Sequence, residues 1–231
     1  MIRATLVYCF IGVYVTLLAP VGCLWKAATG SAHLLFGMTR LCIRVAGWLG
    51  GVRVDVEGRE RLATVRNCVI LSNHQGNFDG PVLLHVTGWD LRALIKKELL
   101  RVPVLSWVFK GTDYVPLDRR DPKQARAGIE QAVGMLRSGM SFFAFPEGTR
   151  SRDGALGRFK KGAFIMAIQA GVPVVPVTIC GSAAIQPPGG YGIRPGRIRL
   201  AIHAPIETRG MTVEDRDRLM RETRDAIASK L

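Results

Sequence analysis

Hydrophobic positions change their rhythm near residue 50. Between Arg3 and Lys26 there is no charged residue, and residues 4–25 are dominated by Leu, Val, Ile, Tyr and Phe. A helix of that length is able to cross a hydrocarbon core. Pro20 and Gly22 fall inside the run and predict an interruption, because proline removes a helix donor and glycine is a poor helix former. A second apolar segment, residues 32–49, carries Arg40 and Arg44 one turn apart. Together they predict a hydrophobic helical hairpin whose second helix lies in a membrane interface, its basic side chains among lipid headgroups. A cleaved signal peptide, or two buried helices of a soluble core, are the competing readings.

From Gly51 onward the pattern is mixed. Short apolar runs bounded by Gly, Pro or polar residues predict strands at 52–56, 68–71, 91–95, 114–117, 141–145, 174–179 and 198–202. Helical patterns alternate with them. Asp121-Pro122 sets a capping residue before a proline at the first helical position, and Ile129, Val133, Leu136 and Met140 follow at helical spacing. Residues 161–170 read as a nearly all-apolar helix closed by Gly171. Thr212-Val213-Glu214-Asp215 has the form of a capping box ahead of an inward stripe of Leu219, Met220 and Ile227. The alternation predicts an α/β fold: a layered domain with a central mixed sheet flanked by helices, preceded by the hairpin. The corresponding division is residues 1–50, a membrane-associating hairpin, and residues 51–231, the layered α/β domain.

Charge narrows the partners. A formal net charge of +14 points to something anionic: nucleic acid, an acidic membrane surface or a phosphorylated substrate. Aromatic residues are only 7% of the chain and do not interleave with Lys and Arg, so the stacking platform of a nucleic-acid binder is missing and no nucleic-acid partner is expected. Five cysteines, Cys9, Cys23, Cys42, Cys68 and Cys180, sit mostly inside apolar runs and read as small buried hydrophobes of a reducing compartment. Their spacing provides no metal-ligand pair, and no metal is expected.

The candidate chemistry lies in two segments. Asn73-His74-Gln75-Gly76-Asn77-Phe78-Asp79 follows a predicted strand and holds an imidazole able to act as a general base near neutral pH beside a carboxylate able to orient it. Phe145-Pro146-Glu147-Gly148-Thr149-Arg150-Ser151 follows another. His74, Arg119 and Glu147 each fall just beyond a predicted strand's C-terminal end, where open α/β sheets bind ligands. No Gly-x-Ser-x-Gly elbow is present, so the nucleophile is expected to be a substrate hydroxyl. Lys96, Lys97, Arg119, Arg120, Arg150, Lys160 and Lys161 around the same pocket favour an anionic acceptor.

Here the chain resembles the glycerolipid acyltransferases. His74 to Asp79 looks like their HxxxxD box and Phe145 to Ser151 is similar to their FPEGTRS box. Val115-Pro116-Leu117-Asp118-Arg119, Phe159-Lys160-Lys161-Gly162 and Val172-Pro173-Val174-Val175-Pro176-Val177 resemble three further blocks, in order, over roughly residues 51–206. Pro116 stands where an aliphatic residue is more usual, and the arginine is doubled as Arg119-Arg120; by the family's pattern Arg119 is the acceptor-binding member.

The resemblance implies 1-acylglycerol-3-phosphate O-acyltransferase activity. A fatty acyl group would pass from acyl-CoA or acyl carrier protein to the sn-2 hydroxyl of lysophosphatidic acid, giving phosphatidic acid for phospholipid biosynthesis. It implies His74 and Asp79 as catalytic residues, and Arg119, Glu147, Gly148, Thr149, Arg150, Lys160 and Lys161 at the substrate. No metal or bound cofactor is implied. Partners would include membrane lipids, and the location an inner (cytoplasmic) membrane with the catalytic domain facing the cytoplasm. Two rivals remain open: a same-fold acyltransferase acting on another lyso-lipid such as a lyso-ornithine lipid, and a non-catalytic, membrane-anchored basic binding module.

Overall fold

Each of the seven segments predicted as strands pairs into one sheet. The structure, a computed structural model, describes the chain apart from Arg119, Arg152, Pro188 and the side chains of residues 103–105. The strands are β1 (Val52–Glu57), β2 (Val69–Ser72), β3 (Leu91–Lys96), β4 (Val115–Leu117), β5 (Ser141–Ala144), β6 (Val174–Cys180) and β7 (Gly196–Ile202). Their order is β1-β7-β6-β2-β5-β3-β4. Neighbours run parallel except β6 and β7, which are antiparallel, so the sheet is mixed as expected.

The central strands β2 and β5 are buried at every position, as strands covered on both faces must be. Successive side chains point to opposite faces, and this divides the core in two. Ile70 and Phe143 join one hydrophobic cluster, which includes Phe36, Leu83 and Ile179. Val69, Leu71, Phe142 and Ala144 join the other, with Leu136, Phe164 and Leu219. Helices α3 (Asp79–Thr87) and α2 (His33–Gly50) supply residues to the first cluster, whereas α5 (Pro122–Arg137), α6 (Gly162–Ala170) and α8 (Arg216–Ala228) supply the second. The Asp121 side chain caps α5 by accepting from the Lys123 and Gln124 N–H groups. The capping box at Thr212 and Asp215 also forms.

Helix α1 (Ile2–Thr29) continues through Pro20 without a break, contrary to the expected interruption. One hydrogen bond is lost there, but Ala19 and Gly22 on either side are buried and packing carries the helix across. Gly22 serves close approach instead: a Cβ there would lie 2.6 Å from Leu35 Cδ1 of α2. The opposite side of Leu35 meets Gly111, at the end of α4 (Pro103–Gly111). Arg40 does not face headgroups as expected. Its Nη1 donates to Asp90 Oδ1 at 2.7 Å, and His33 Nδ1 lies 2.9 Å from the same carboxylate's Oδ2. Turning inward gives the guanidinium a carboxylate partner, whereas Arg44 remains exposed. Lys26 pairs with Asp113.

The hairpin thus has two faces. Ala4, Val7, Ala32, Phe36 and Ala46 belong to the same cluster as the sheet. On the outside, Leu6, Val13, Leu17, Val21, Leu24 and Trp25 are exposed along α1, a helix long and apolar enough to cross a membrane by length and composition.

Candidate active site

Parallel neighbours deliver their C-terminal ends to the same edge of a sheet. In β2 and β5, Leu71 stands opposite Ala144, so the chain segments leaving them emerge side by side and bring His74 to Glu147. The contact is direct: the His74 backbone N–H donates to Glu147 Oε1 at 2.9 Å. Oε2 accepts from the Gly157 N–H at 2.8 Å. Glu147 is only 7% exposed, and a carboxylate is tolerated at that depth because both oxygens are hydrogen-bonded. A Cβ on Gly157 would stand 2.8 Å from Oε2, so this approach requires glycine.

His74 Nδ1 lies 2.7 Å from Asp79 Oδ2. Asp79 is the first residue of α3 and fully buried, its negative charge at the helix end where the macrodipole favours it. The same Oδ2 accepts the Gln75 and Gly76 backbone N–H groups at 2.7 and 2.8 Å. A carboxylate only accepts, so Nδ1 carries the ring proton and Nε2 is the basic nitrogen. The imidazole stacks on Phe145 with centroids 3.9 Å apart and 11° between planes. Its side chain keeps 21% exposure, enough for a ligand to reach it.

Two further contacts fix the loop. Asn73 bridges to β6, its Nδ2 donating to the Ile179 carbonyl and its Oδ1 accepting the Ile179 N–H, both at 2.8 Å. The Ser151 N–H donates to the His74 carbonyl at 2.7 Å. Asn73 and Gly157 carried no expected role, and the fold alone reveals theirs.

The remaining expected residues fall into two groups. Arg150 Nη1 donates to Asn77 Oδ1, tying one motif to the other. Gly148 adopts φ 75°, a left-handed conformation suited to glycine, and a Cβ there would lie 3.0 Å from Lys160 Nζ. Lys160 therefore lies over the Gly148 turn. Thr149, Lys160 and Lys161 are exposed, with Lys161 immediately before the first residue of α6. Arg119 lies outside the described residues. Its neighbour Arg120 is exposed and donates its backbone N–H to Asp118 Oδ1 at 3.0 Å, at the sheet edge two strands from β5. Lys97 stands 3.8 Å from Asp118 and Lys96 3.5 Å from Glu98. Among the described residues no three His, Cys, Asp or Glu side chains gather as a metal site would require.

This assembly is a directed base in an anchored loop beside cationic side chains, and it can deprotonate a hydroxyl bound next to an anionic group. The chain as a whole is similar to known proteins. A chloroplastic 1-acyl-sn-glycerol-3-phosphate acyltransferase of Brassica napus is 41% identical over 156 residues, 67% of this chain and 45% of the relative. The 1-acyl-sn-glycerol-3-phosphate acyltransferase of Borreliella burgdorferi is 34% identical over 147 residues, 64% of this chain and 59% of its own. The chain spans about half the length of these curated relatives. The crystal structure of the 1-acyl-sn-glycerophosphate acyltransferase of Thermotoga maritima superposes with a TM-score of 0.80 at 26% identity, covering 99% of this chain and 96% of that one. Because the Acyltransferase family model also matches residues 53–180, more than half of the sequence and every strand-end motif above, the chain belongs to the Acyltransferase family.

Proposed function

We propose that this protein transfers a fatty acyl group from acyl-CoA or acyl carrier protein to the sn-2 hydroxyl of 1-acyl-sn-glycerol 3-phosphate, forming phosphatidic acid. The observation that carries the reading is the 2.7 Å bond from His74 Nδ1 to Asp79 Oδ2, which leaves Nε2 to accept a proton. The relatives' names supply the substrate. His74 Nε2 takes the hydroxyl proton as the oxygen attacks the thioester carbonyl, and such general-base help is worth roughly 10²–10⁴-fold. The ester C–O bond forms, the C–S bond breaks, and the imidazolium returns the proton to the departing sulfur. The nucleophile belongs to the substrate, so no acyl-enzyme forms.

Arg150, Lys160 and Arg119 bind the acceptor phosphate, with Gly148 and Thr149 shaping the turn beneath it. Glu147 acts by holding backbone, both of its oxygens being engaged. Residues 1–50 serve as the membrane-associating hairpin and residues 51–231 as the catalytic domain, facing the cytoplasm at the inner membrane. The exposed apolar face of α1 supports this, because acceptor and product stay in the bilayer and the enzyme must dock on it.

Mass spectrometry of the products formed from lysophosphatidic acid and an acyl thioester tests the reading. Phosphatidic acid is the expected product. A preference for a phosphate-free acceptor such as a lyso-ornithine lipid would replace the substrate, and absence of thioester consumption would leave only a binding module.

A further inference from the structure

Glu147 holds His74 through one oxygen, and its other oxygen is held by the Gly157 N–H. That N–H belongs to a stretch, residues 153–161, that forms neither helix nor strand. Something outside the stretch must orient it. Arg224 on α8 donates Nη2 to the Leu156 carbonyl at 2.7 Å and Nη1 to the Gly157 carbonyl at 2.6 Å. Its guanidinium lies 5.4 Å over the ring of Phe159, which is itself buried.

The Leu156 carbonyl and the Gly157 N–H are two ends of a single peptide group, which is planar and rigid. Its oxygen faces the Arg224 cation and its N–H faces the Glu147 anion. The peptide dipole is thus clamped between opposite charges, and bonds in such a series polarise and strengthen one another. Turning this peptide by a few tens of degrees would take the N–H away from Oε2 and free the carboxylate that carries the His74 backbone. A guanidinium fork suits two adjacent carbonyls, which a lysine ammonium cannot match in geometry.

We infer that Arg224 is a positioning residue for the acyl-transfer base, acting on His74 through the Leu156–Gly157 peptide and Glu147. This rests on the acyltransferase reading for its consequence in turnover. It lies outside the motifs and beyond residues 53–180 matched by the family model, so the motif blocks alone would not reveal it.

The test compares Arg224→Gln and Arg224→Lys with Arg221→Gln, an exposed neighbour lining the same shallow surface pocket. Arg224→Gln is expected to lower kcat on the order of 10- to 10²-fold, the cost of a misplaced catalytic group, with KM for donor and acceptor little changed; Arg224→Lys falls between, and Arg221→Gln matches wild type. In a Glu147→Gln background, Arg224→Gln should add little further loss, since both act on the same link. A second readout needs no turnover: the His74 backbone amide resonance of ¹⁵N-labelled full-length protein should move in both Arg224 variants and stay put in Arg221→Gln. The lysine variant carries the same readouts where glutamine fails to fold. Losses that multiply across the double mutant, or an unmoved His74 amide, overturn the inference. A wild-type protein without acyl transfer removes the acyltransferase reading, while the amide shift still decides the positioning.

Discussion

The active-site end of the sheet and the outer face of the hairpin reverse each other's rules. At the strand ends, carboxylates are buried: Asp79 is fully enclosed and Glu147 nearly so. Both Glu147 oxygens accept backbone N–H groups, whereas Asp79 gathers two backbone N–H groups and the imidazole on Oδ2 alone, its Oδ1 meeting no hydrogen-bond partner among the described residues. On α1, large apolar side chains such as Leu17, Leu24 and Trp25 are half exposed or more, while Lys26 and Arg40 turn inward to Asp113 and Asp90. Buried charge costs free energy and persists where it performs chemistry or is fully hydrogen-bonded. A contiguous exposed apolar face of this kind marks a surface that meets another protein or a membrane. On the proposed reading, one region serves a reaction and the other a membrane surface.

The sharpest break in this comparison is His74→Ala. It should cost roughly 10²–10⁴-fold in kcat, the general-base contribution, with a near-native thermal melt because the partly exposed imidazole leaves a gap that opens to solvent. Residual activity within tenfold of wild type would remove the base assignment.

Next in size, Leu24→Ala with Trp25→Ala removes apolar area from the outer face alone. At about 25 cal/mol per Å² the pair should weaken liposome binding on the order of 10²-fold, read by flotation, without shifting the melt. Deleting residues 1–50 instead would also strip Phe36 and Val7 from the shared core and destabilise the domain, so truncation confuses the two faces that these substitutions separate. Unchanged flotation would mean that the face meets something other than lipid.

Arg150→Ala should raise KM for lysophosphatidic acid about tenfold by loss of one charge-assisted contact worth roughly 1.5 kcal/mol, leaving KM for the thioester unchanged. Equal effects on both substrates would move Arg150 away from the phosphate.

The smallest effect concerns the seam between the regions. Burial holds the His85 pKa below its usual 6.5, with Arg44 of α2 and Arg59 adding to the shift. The unfolded chain therefore binds a proton that folded His85 resists, so stability is intact above about pH 6.5 and falls as the pH drops below it. The melting temperature should decrease between pH 7 and 5.5, and less steeply in His85→Gln. His203, also lowered by burial, retains part of the slope; a slope unaffected by His85→Gln would place the sensitivity elsewhere.

All seven strands were legible as short apolar runs between breakers, alternating in β1 and β3 and continuous in the fully buried β2 and β5, and the pairing of His74 with Asp79 was legible because those residue types at that spacing are chemically specific. Helix α1 was legible in its apolar length but not in its continuity, since the packing of Ala19 and Gly22 that carries it past Pro20 comes from other segments. Arg40 looked like a headgroup ligand because its partner Asp90 is fifty positions away. Glu147 looked like a substrate ligand, and only the path of the chain through Gly157 reveals that both of its oxygens hold backbone. Local rhythm and motif spacing are properties of neighbours along the chain, so they specify the element types and the reactive groups. Which charges pair, which glycine permits a close approach and which apolar face stays exposed depend on distances between remote segments, and those exist only once the sheet order has brought the segments together.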